Sequence, residues 1–584
     1  MATYKYATKE LSITSAKAFL ENINADDTST VKKSAIIYAV LGHSNPWNNE
    51  PSPDQIVAST QKLQYETKRD FIGGKKVDAG NVSHVTKRVD WSENSVYDMY
   101  KDTLEDVYDT NYFVVTDELN VYKCLYNNKR GQSTIKPQGY ALSAFTLSDG
   151  YTWKYMYSIT LGESEKFMTT NHIPVKIQSN VQTAAVNGNI EIIETNTSGS
   201  GYYQLDGVDV ATSTSNTLII NGIGSGAYGS ISRVDDFYNG SSVYIKTGTG
   251  SGQLRRITNY VGETKELTVN TAFTTIPENG DQFLISPTAT IIGDGKDAKA
   301  YTKVNVGTGA IANVSVIDTG EFYTRAETKI SGGQGTGATA NTIISPKGGH
   351  GSDAITELGA DKLMINVKFD GSEGISSTGA GYIPANTEFR TISLLKDPIL
   401  KVDQNNAALA ENTEAIANTS NSPLTLRFTH RARIAYESLS EGVPTNALSA
   451  DDIITNERMR LSASTGTLEF VTELTQQARD ENAMANALQG ANAQIVYIRD
   501  DESTSDVSFY TMYLNNVQVN GDNIAFVTDD AILKQGSDTK IAIIQDYKFP
   551  EANTFSGEVL YTENVGEVTR STDQLEDIKI ILDF

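Results

Sequence analysis

Hydrophobic positions recur with two different periods along this chain, and the switch falls near residue 111. Before it the spacing is helical. Ser52-Pro53 sets an N-cap serine beside a proline suited to the first helical position. Ile56, Val57, Leu63 and Phe71 follow on one side of a helix predicted to end near Gly73-Gly74. Ser92 predicts a second cap, with Val96, Met99, Tyr100 and Leu104 at helical spacing. Ser29 predicts a third helix through Ala35, Ile36, Ala39 and Val40, closed by Gly42.

Beyond 111 the period is two. Residues 111–116 and 119–126 flank a turn at Asp117-Glu118 and read as a hairpin. A second turn at Asp149-Gly150 leads into Tyr151, Trp153, Tyr155 and Tyr157, which alternate with Thr152, Lys154, Met156 and Ser158. Aromatic residues at this spacing predict a core or a subunit interface in preference to a sugar-binding platform. Residues 362–369 and 514–519 are strand-like, with a further strand at Ile524–Val527 after the turn Asn520-Gly521-Asp522-Asn523. The stretch from Asn405 to Asn418 fits a helix or a loop. At the C-terminus Ile578, Ile580, Leu582 and Phe584 share one predicted face.

Composition divides the chain further. Residues 181–350 are rich in Gly, Ser, Thr and Asn, with short β-branched runs between turns. A weak repeat runs through them: Ile220 to Ala227, Ile292 to Ala298, and Ile330 to Ala338, each a strand residue followed by a glycine turn. This predicts an all-β insert, a small barrel or sandwich, between an N-terminal α+β domain at 1–180 and a β-rich C-terminal domain at 351–584. The fold class expected is mainly β with an α-helical N-terminal part, multidomain, with β-sandwich-like domains.

Charge and candidate chemistry narrow the function classes. The net charge of −24 disfavours a nucleic-acid surface, and the basic pairs Lys68-Arg69, Lys75-Lys76 and Lys87-Arg88 read as solvated positions. The chain lacks a long apolar run and a secretory-type N-terminus, so no membrane partner is expected and a cytoplasmic origin is. The single cysteine, Cys124, excludes a disulfide framework and reads as a buried small residue. His43, His84, His172, His350 and His430 show no ligand spacing, and no metal or cofactor is expected. Gly224-Ser225-Gly226-Ala227-Tyr228-Gly229 matches the dinucleotide pattern but leads into a strand-like segment, where phosphate binding needs a helix. Asp294 and Asp297 are too sparse a set for calcium. His430, Arg431 and Arg433 read as an interface or surface strand. Carboxylates are abundant without a distinctive pair, so an enzyme is not expected and a polysaccharide-degrading activity is the weakest of three readings.

One ordered block carries a resemblance. It runs from Asn81-Val82-Ser83-His84-Val85 through Arg88-Val89-Asp90-Trp91, Val96-Tyr97-Asp98, Phe113-Val114-Val115-Thr116-Asp117 and Asn120-Val121-Tyr122-Lys123-Cys124. It continues through Asn127-Asn128, Ser133-Thr134, Lys136-Pro137, the stretch from Asp149 to Tyr157, Lys166-Phe167 and Ile173-Pro174-Val175. Gly349-His350-Gly351, Glu357-Leu358-Gly359-Ala360, Gly557 to Tyr561 and Glu576 to Lys579 agree with it. The block resembles the baseplate wedge subunit of T-even-type myoviruses, the product of gene eight, in the longer form associated with phages of marine cyanobacteria. The resemblance covers about 1–180 and 350–584. It implies a homodimer that docks onto other wedge proteins in the virion tail baseplate, assembled in a bacterial cytoplasm, and it carries over no catalytic residue. The alternative reading is a tail adhesin or spike that binds host surface glycans through the β-insert.

Overall fold

The computed structural model describes residues 8–24, 35–55, 60–228, 230–370, 387–399, 425–436, 448–456, 459–462, 468–471, 491–500, 509–519, 526, 528–535, 540–570 and 574–584. Strand accounts for 49% and helix for 11%, so the chain is mainly β with an N-terminal helix, Lys9–Asn24.

The other helices expected in the first hundred residues are largely replaced by strands and turns. Ile37–Gly42 is a strand with all six residues buried, between Phe71–Lys76 on one side and Glu388–Lys396 on the other. A continuous apolar run fits a doubly buried strand as well as a helix, and distant strands decide between them. The helix over 61–69 exists, but its cap is Thr60, whose hydroxyl accepts from Leu63 N at 3.2 Å. Phe71, Gly73 and Gly74 belong to the next strand, where a Cβ on Gly74 would sit 3.0 Å from Val40 Cγ2. Residues 92–104 form turns because their backbone is bonded to the neighbouring sheet. Trp91 N donates to Val115 O at 2.9 Å and Tyr100 N to Cys124 O at 2.9 Å, which leaves no helical ladder to form. Ser29, Ile56, Val57, Gly229, the 405–418 stretch and the 520–523 turn lie outside the described residues.

Two compact units emerge, one built on His84–Lys362 and the other on Thr14–Ser83 with Leu363–Asp583. This division cuts across the three compositional intervals. Residues 37–76 pair with strands beyond 387, and composition carries no trace of such pairing.

In the first unit an antiparallel sheet runs in the order Phe113–Val115, Asn120–Asn127, Tyr151–Ser158, Phe145–Thr146. Its central strand is buried on both faces from Tyr151 to Tyr157. Val121 pairs with Tyr157 and Tyr122 with Tyr155, so Met156 is an extra residue that bulges the strand. The bulge breaks the alternation: Tyr151, Trp153 and Tyr155 pack with Tyr97, Met99 and Cys124, while Tyr157 joins Tyr112, Ile173 and Leu358 in a separate cluster.

The strands from Ile192–Ser200 to Thr336–Ile343 pair among themselves as two closed rings of six. The rings share one long strand, Gln282–Gly293. Its first half pairs with Leu205–Ser213 and Ser241–Ile245, and its second half with Lys299–Asn305 and Ala326–Ser331. Each ring has its own core, around Val208, Tyr238, Tyr260 and Phe283 in one and Tyr202, Ala300, Ile311 and Tyr323 in the other. Two copies of the sequence repeat end strands at glycine turns as expected, after Gly293 and after Ser331. The copy at 220–227 instead lies inside one strand, Thr217–Tyr228.

The second unit holds a sheet ordered Thr425–Arg427, Phe71–Lys76, Ile37–Gly42, Glu388–Lys396, Glu558–Thr569. It also holds a closed six-stranded barrel, His430–Tyr436, Phe509–Val519, Ala491–Asp500, Ile453–Asn456, Ala531–Lys534, Lys540–Lys548, filled by Ile434, Ile495, Met512, Leu514 and Ile544. The last strand, Leu575–Asp583, lies beside Lys362–Asp370 and follows its predicted alternation, with Ile580 buried and Ile581 exposed.

Candidate functional site: a buried lysine–glutamate network and the cleft beside it

Lys123 and Lys154 sit opposite each other on adjacent strands, and both are buried. Two like charges facing each other in a core require counter-charges. Lys123 Nζ meets Glu357 Oε2 at 2.9 Å and His350 Nδ1 at 3.1 Å, and lies 4.0 Å from the centre of the Tyr100 ring. Lys154 Nζ donates to Leu142 O at 2.6 Å and lies 3.7 Å from Glu191 Oε1.

Glu357 ends a short helix, Ala354–Glu357, capped by Asp353. Its Oε1 accepts from Gly351 N at 2.7 Å and Asp353 N at 3.3 Å, and its carbonyl accepts from the Tyr112 hydroxyl. Burial alone would raise its carboxyl, but the Lys123 charge beside it holds it down at about 2. Burial, and then the Lys123 charge, push His350 below its ordinary value, so its ring is neutral and Nδ1 accepts from the ammonium. Burial likewise lowers Lys123, opposed by the Glu357 carboxylate. The network is a structural clamp: two stretches far apart in sequence, Tyr100 to Lys123 and His350 to Glu357, converge on one ion pair.

A cleft of about 880 Å³ opens beside this network, within the same unit. Tyr126, Asn128 and Thr152 contribute from the aromatic sheet, and Thr195, Lys303 and Asn313 from the second ring of strands. Glu191 and Thr195 line it, and Glu191 Oε2 and Thr195 Oγ1 have no hydrogen-bond partner among the described residues. Glu191 is thereby shared, with one oxygen facing Lys154 and Asn189 and the other left over.

The residues singled out from the sequence lie as follows. Tyr151, Trp153, Tyr155 and Tyr157 are at most 3% exposed and lie in the core of this chain, the first of the two readings, core or subunit interface, that their spacing allowed. A side chain sealed by its own chain offers no area to another. His430, Arg431 and Arg433 occupy one barrel strand. Arg433 is exposed and lies 4.4 Å from the centre of the Phe509 ring, whereas His430 is half-buried, with Nδ1 2.6 Å from the Tyr547 hydroxyl. Phe549, 41% exposed, packs against both His430 and Tyr547, so this end of the barrel presents an aromatic and basic surface. The Cys124 thiol is buried, and burial pushes it well above its ordinary value. The Asp294 carboxylate caps a turn, accepting from Thr324 N at 2.9 Å and Arg325 N at 3.1 Å. Among the described residues no group of three His, Cys, Asp or Glu side chains is arranged to hold a metal ion.

Sequence reasoning missed Lys123, Lys154, Glu191 and Glu357. Two lysines inside strands that are apolar on both sides were the available signal, because a doubly buried lysine must find a carboxylate. No protein-family model matches the chain, and no curated protein matches it.

Proposed function

We propose that this chain is a structural subunit of a contractile-tail phage baseplate wedge, acting by protein–protein assembly and helping to couple host contact to sheath contraction. The observation that carries the reading is where the resembling residues lie. Asn120 to Cys124, Asp149 to Tyr157, Ile173 to Val175, His350 and Glu357 to Ala360 are scattered over more than two hundred positions, yet they build the two core clusters around one sheet and the ion-pair clamp. Residues used this way make a rigid body, and a rigid body with broad surfaces is what an assembly part requires. The homodimer, the neighbouring wedge proteins as partners and the virion location belong to the same reading.

The aromatic and basic end of the barrel, with His430, Arg431, Arg433 and Phe549, is the docking surface proposed for the second unit. Enrichment in aromatic side chains and arginine is the usual composition of an interface centre.

The test has two parts. Mass spectrometry of purified virions is expected to find the chain together with the other wedge proteins. The purified chain is expected to sediment as a dimer. Its absence from virions overturns the reading, and a trimer in solution overturns the dimer.

A further inference from the structure

We propose that the buried side chains of Lys154 and Asn189 become joined by an intramolecular amide bond, with Glu191 carrying the proton. The proposal goes beyond the wedge reading and does not depend on it. Three observations carry it.

First, the three side chains meet at one atom. Glu191 Oε1 accepts from Asn189 Nδ2 at 3.1 Å and lies 3.7 Å from Lys154 Nζ. An amine, a carboxamide and a carboxyl group are thereby collected at a single point. Their backbones are fixed independently. Lys154 is paired with Lys123 in the aromatic sheet, while Asn189 O accepts from Ser345 N at 3.0 Å and Ile190 N donates to Thr319 O at 2.8 Å. Groups held in place this way react without the entropic cost of finding each other.

Second, the site is sealed. The Lys154 side chain is 4% exposed, that of Glu191 10%, and Asn189 4%. Passing a proton from the ammonium to the carboxylate removes two charges from the interior and leaves a free amine, which is the nucleophile. Burial also keeps out water, the competing nucleophile.

Third, Asn189 Oδ1 and Glu191 Oε2 are both buried, and neither has a hydrogen-bond partner among the described residues. Two bare acceptors cannot satisfy each other. With the proton on Glu191, its Oε2 becomes a donor for Oδ1, beside the bond that already joins Nδ2 to Oε1. The same proton polarises the Asn189 carbonyl toward attack.

Lys154 Nζ gives one proton to Glu191, turns from the Leu142 carbonyl it now donates to, and attacks Asn189 Cγ. The Nζ–Cγ bond forms and the Cγ–Nδ2 bond breaks. A second proton passes from Nζ to Nδ2 through Glu191, and Nδ2 leaves as ammonia. Nothing is oxidised or reduced. Ile192, three residues after Asn189, opens the first ring strand, so the bond fastens the double ring to the aromatic sheet.

The experiment is mass spectrometry of the purified full chain, first intact under denaturing conditions and then after trypsin digestion. Wild type is expected to be lighter than its sequence mass by one ammonia, after allowance for removal of the initiator methionine. Its digest is expected to hold a branched peptide joining Lys154 to Asn189, with no cleavage after Lys154. Lys154→Arg keeps the positive charge without the reactive amine and is expected to show the full sequence mass and no branched peptide. Glu191→Gln is expected to slow bond formation roughly 100-fold or more, the usual loss on removing a positioned proton carrier. The wild-type result is decisive by itself if a variant fails to fold. A wild-type chain at full sequence mass, cleaved normally after Lys154, overturns the proposal. So does a missing ammonia without the branched peptide, the mark of a succinimide at an Asn-Gly step, or a deficit that persists in Lys154→Arg.

Discussion

Lys123→Met removes a single ammonium from the core and leaves the shape of the side chain nearly unchanged. In the native protein Lys123 is 0% and Glu357 3% exposed, at 2.9 Å. Removing one partner of such a pair costs about 3–5 kcal/mol, because the remaining charge stays buried without compensation. Here Glu357 Oε1 keeps its bonds from Gly351 N and Asp353 N, which places the cost at the low end, about 3 kcal/mol. The chain has two units, so a single unfolding midpoint would mix them. Hydrogen exchange of Asn120–Asn127 amides reads the affected sheet directly. At 1.36 kcal/mol per decade, a loss of about 3 kcal/mol accelerates exchange roughly 150-fold. The second arm is Lys123→Met with Glu357→Gln, which removes both charges. Exchange is expected to return to within about tenfold of wild type, since replacing a whole buried pair is often nearly neutral. A Lys123→Met variant that changes exchange by less than about fivefold refutes the clamp, as does a double variant whose loss equals the sum of the two single ones.

Acid should release the same clamp in two stages. His350, held below its ordinary value, stays neutral when folded while the unfolded ring protonates, so stability falls as pH drops below about 6.5. Glu357 contributes fully above 4.5, and its contribution is lost as pH falls toward about 2, so Glu357→Gln should remove the second stage from an exchange-versus-pH profile. Thr160→Ala breaks a capping box in which Thr160 Oγ1 accepts from Glu163 N at 3.2 Å and Glu163 Oε2 from Thr160 N at 2.8 Å. It should cost about 1 kcal/mol, read as faster exchange in Leu161–Phe167 alone. In the second unit Arg390, 1% exposed, binds Glu50 at 2.6 Å, Glu388 at 2.9 Å and Glu567 at 3.2 Å. Arg390→Met leaves three carboxylates facing one another, and because those are partly solvated the expected loss is about 3 kcal/mol, measured by exchange in Glu388–Lys396.

What the sequence made legible follows from the range of each interaction. The hairpin at 113–127 and the strand at 151–158 were readable because alternation is local. The strand at 37–42 was not. Its six buried residues carry no period of their own, and its partners lie at 71–76 and 388–396. The turns at 92–104 had helical spacing by coincidence, and backbone bonds to Val115 and Cys124 outweighed it. Met156 shows a subtler limit. One bulged residue moved Tyr157 to a different cluster from Tyr155, so a stripe that looked like one face became two. The Lys123–Glu357 pair spans 234 positions, and nothing in the neighbourhood of either residue names the other.

The same reasoning explains how the first unit can carry the double ring of strands at all. Ile192, where the first of these strands begins, is paired with Ile343, where the last one ends. The chain therefore leaves the aromatic sheet and returns to it at nearly one point. A segment closed in this way asks its host only for the approach of two strand ends, and its two cores are filled by its own residues. Loop closure grows only slowly with length, so a segment of this size costs the host little more than a short loop would. What the host supplies is confined to that junction, where Ile343 and Ile192 pack with Trp153 and Tyr151, and where Glu191 meets Lys154 one residue before the first ring strand's register begins. The junction thus has two layers, apolar contacts that fix the ends and one ion pair that orients them. Changes at Glu191 or Lys154 should loosen the whole double ring from its seat while leaving both of its cores intact.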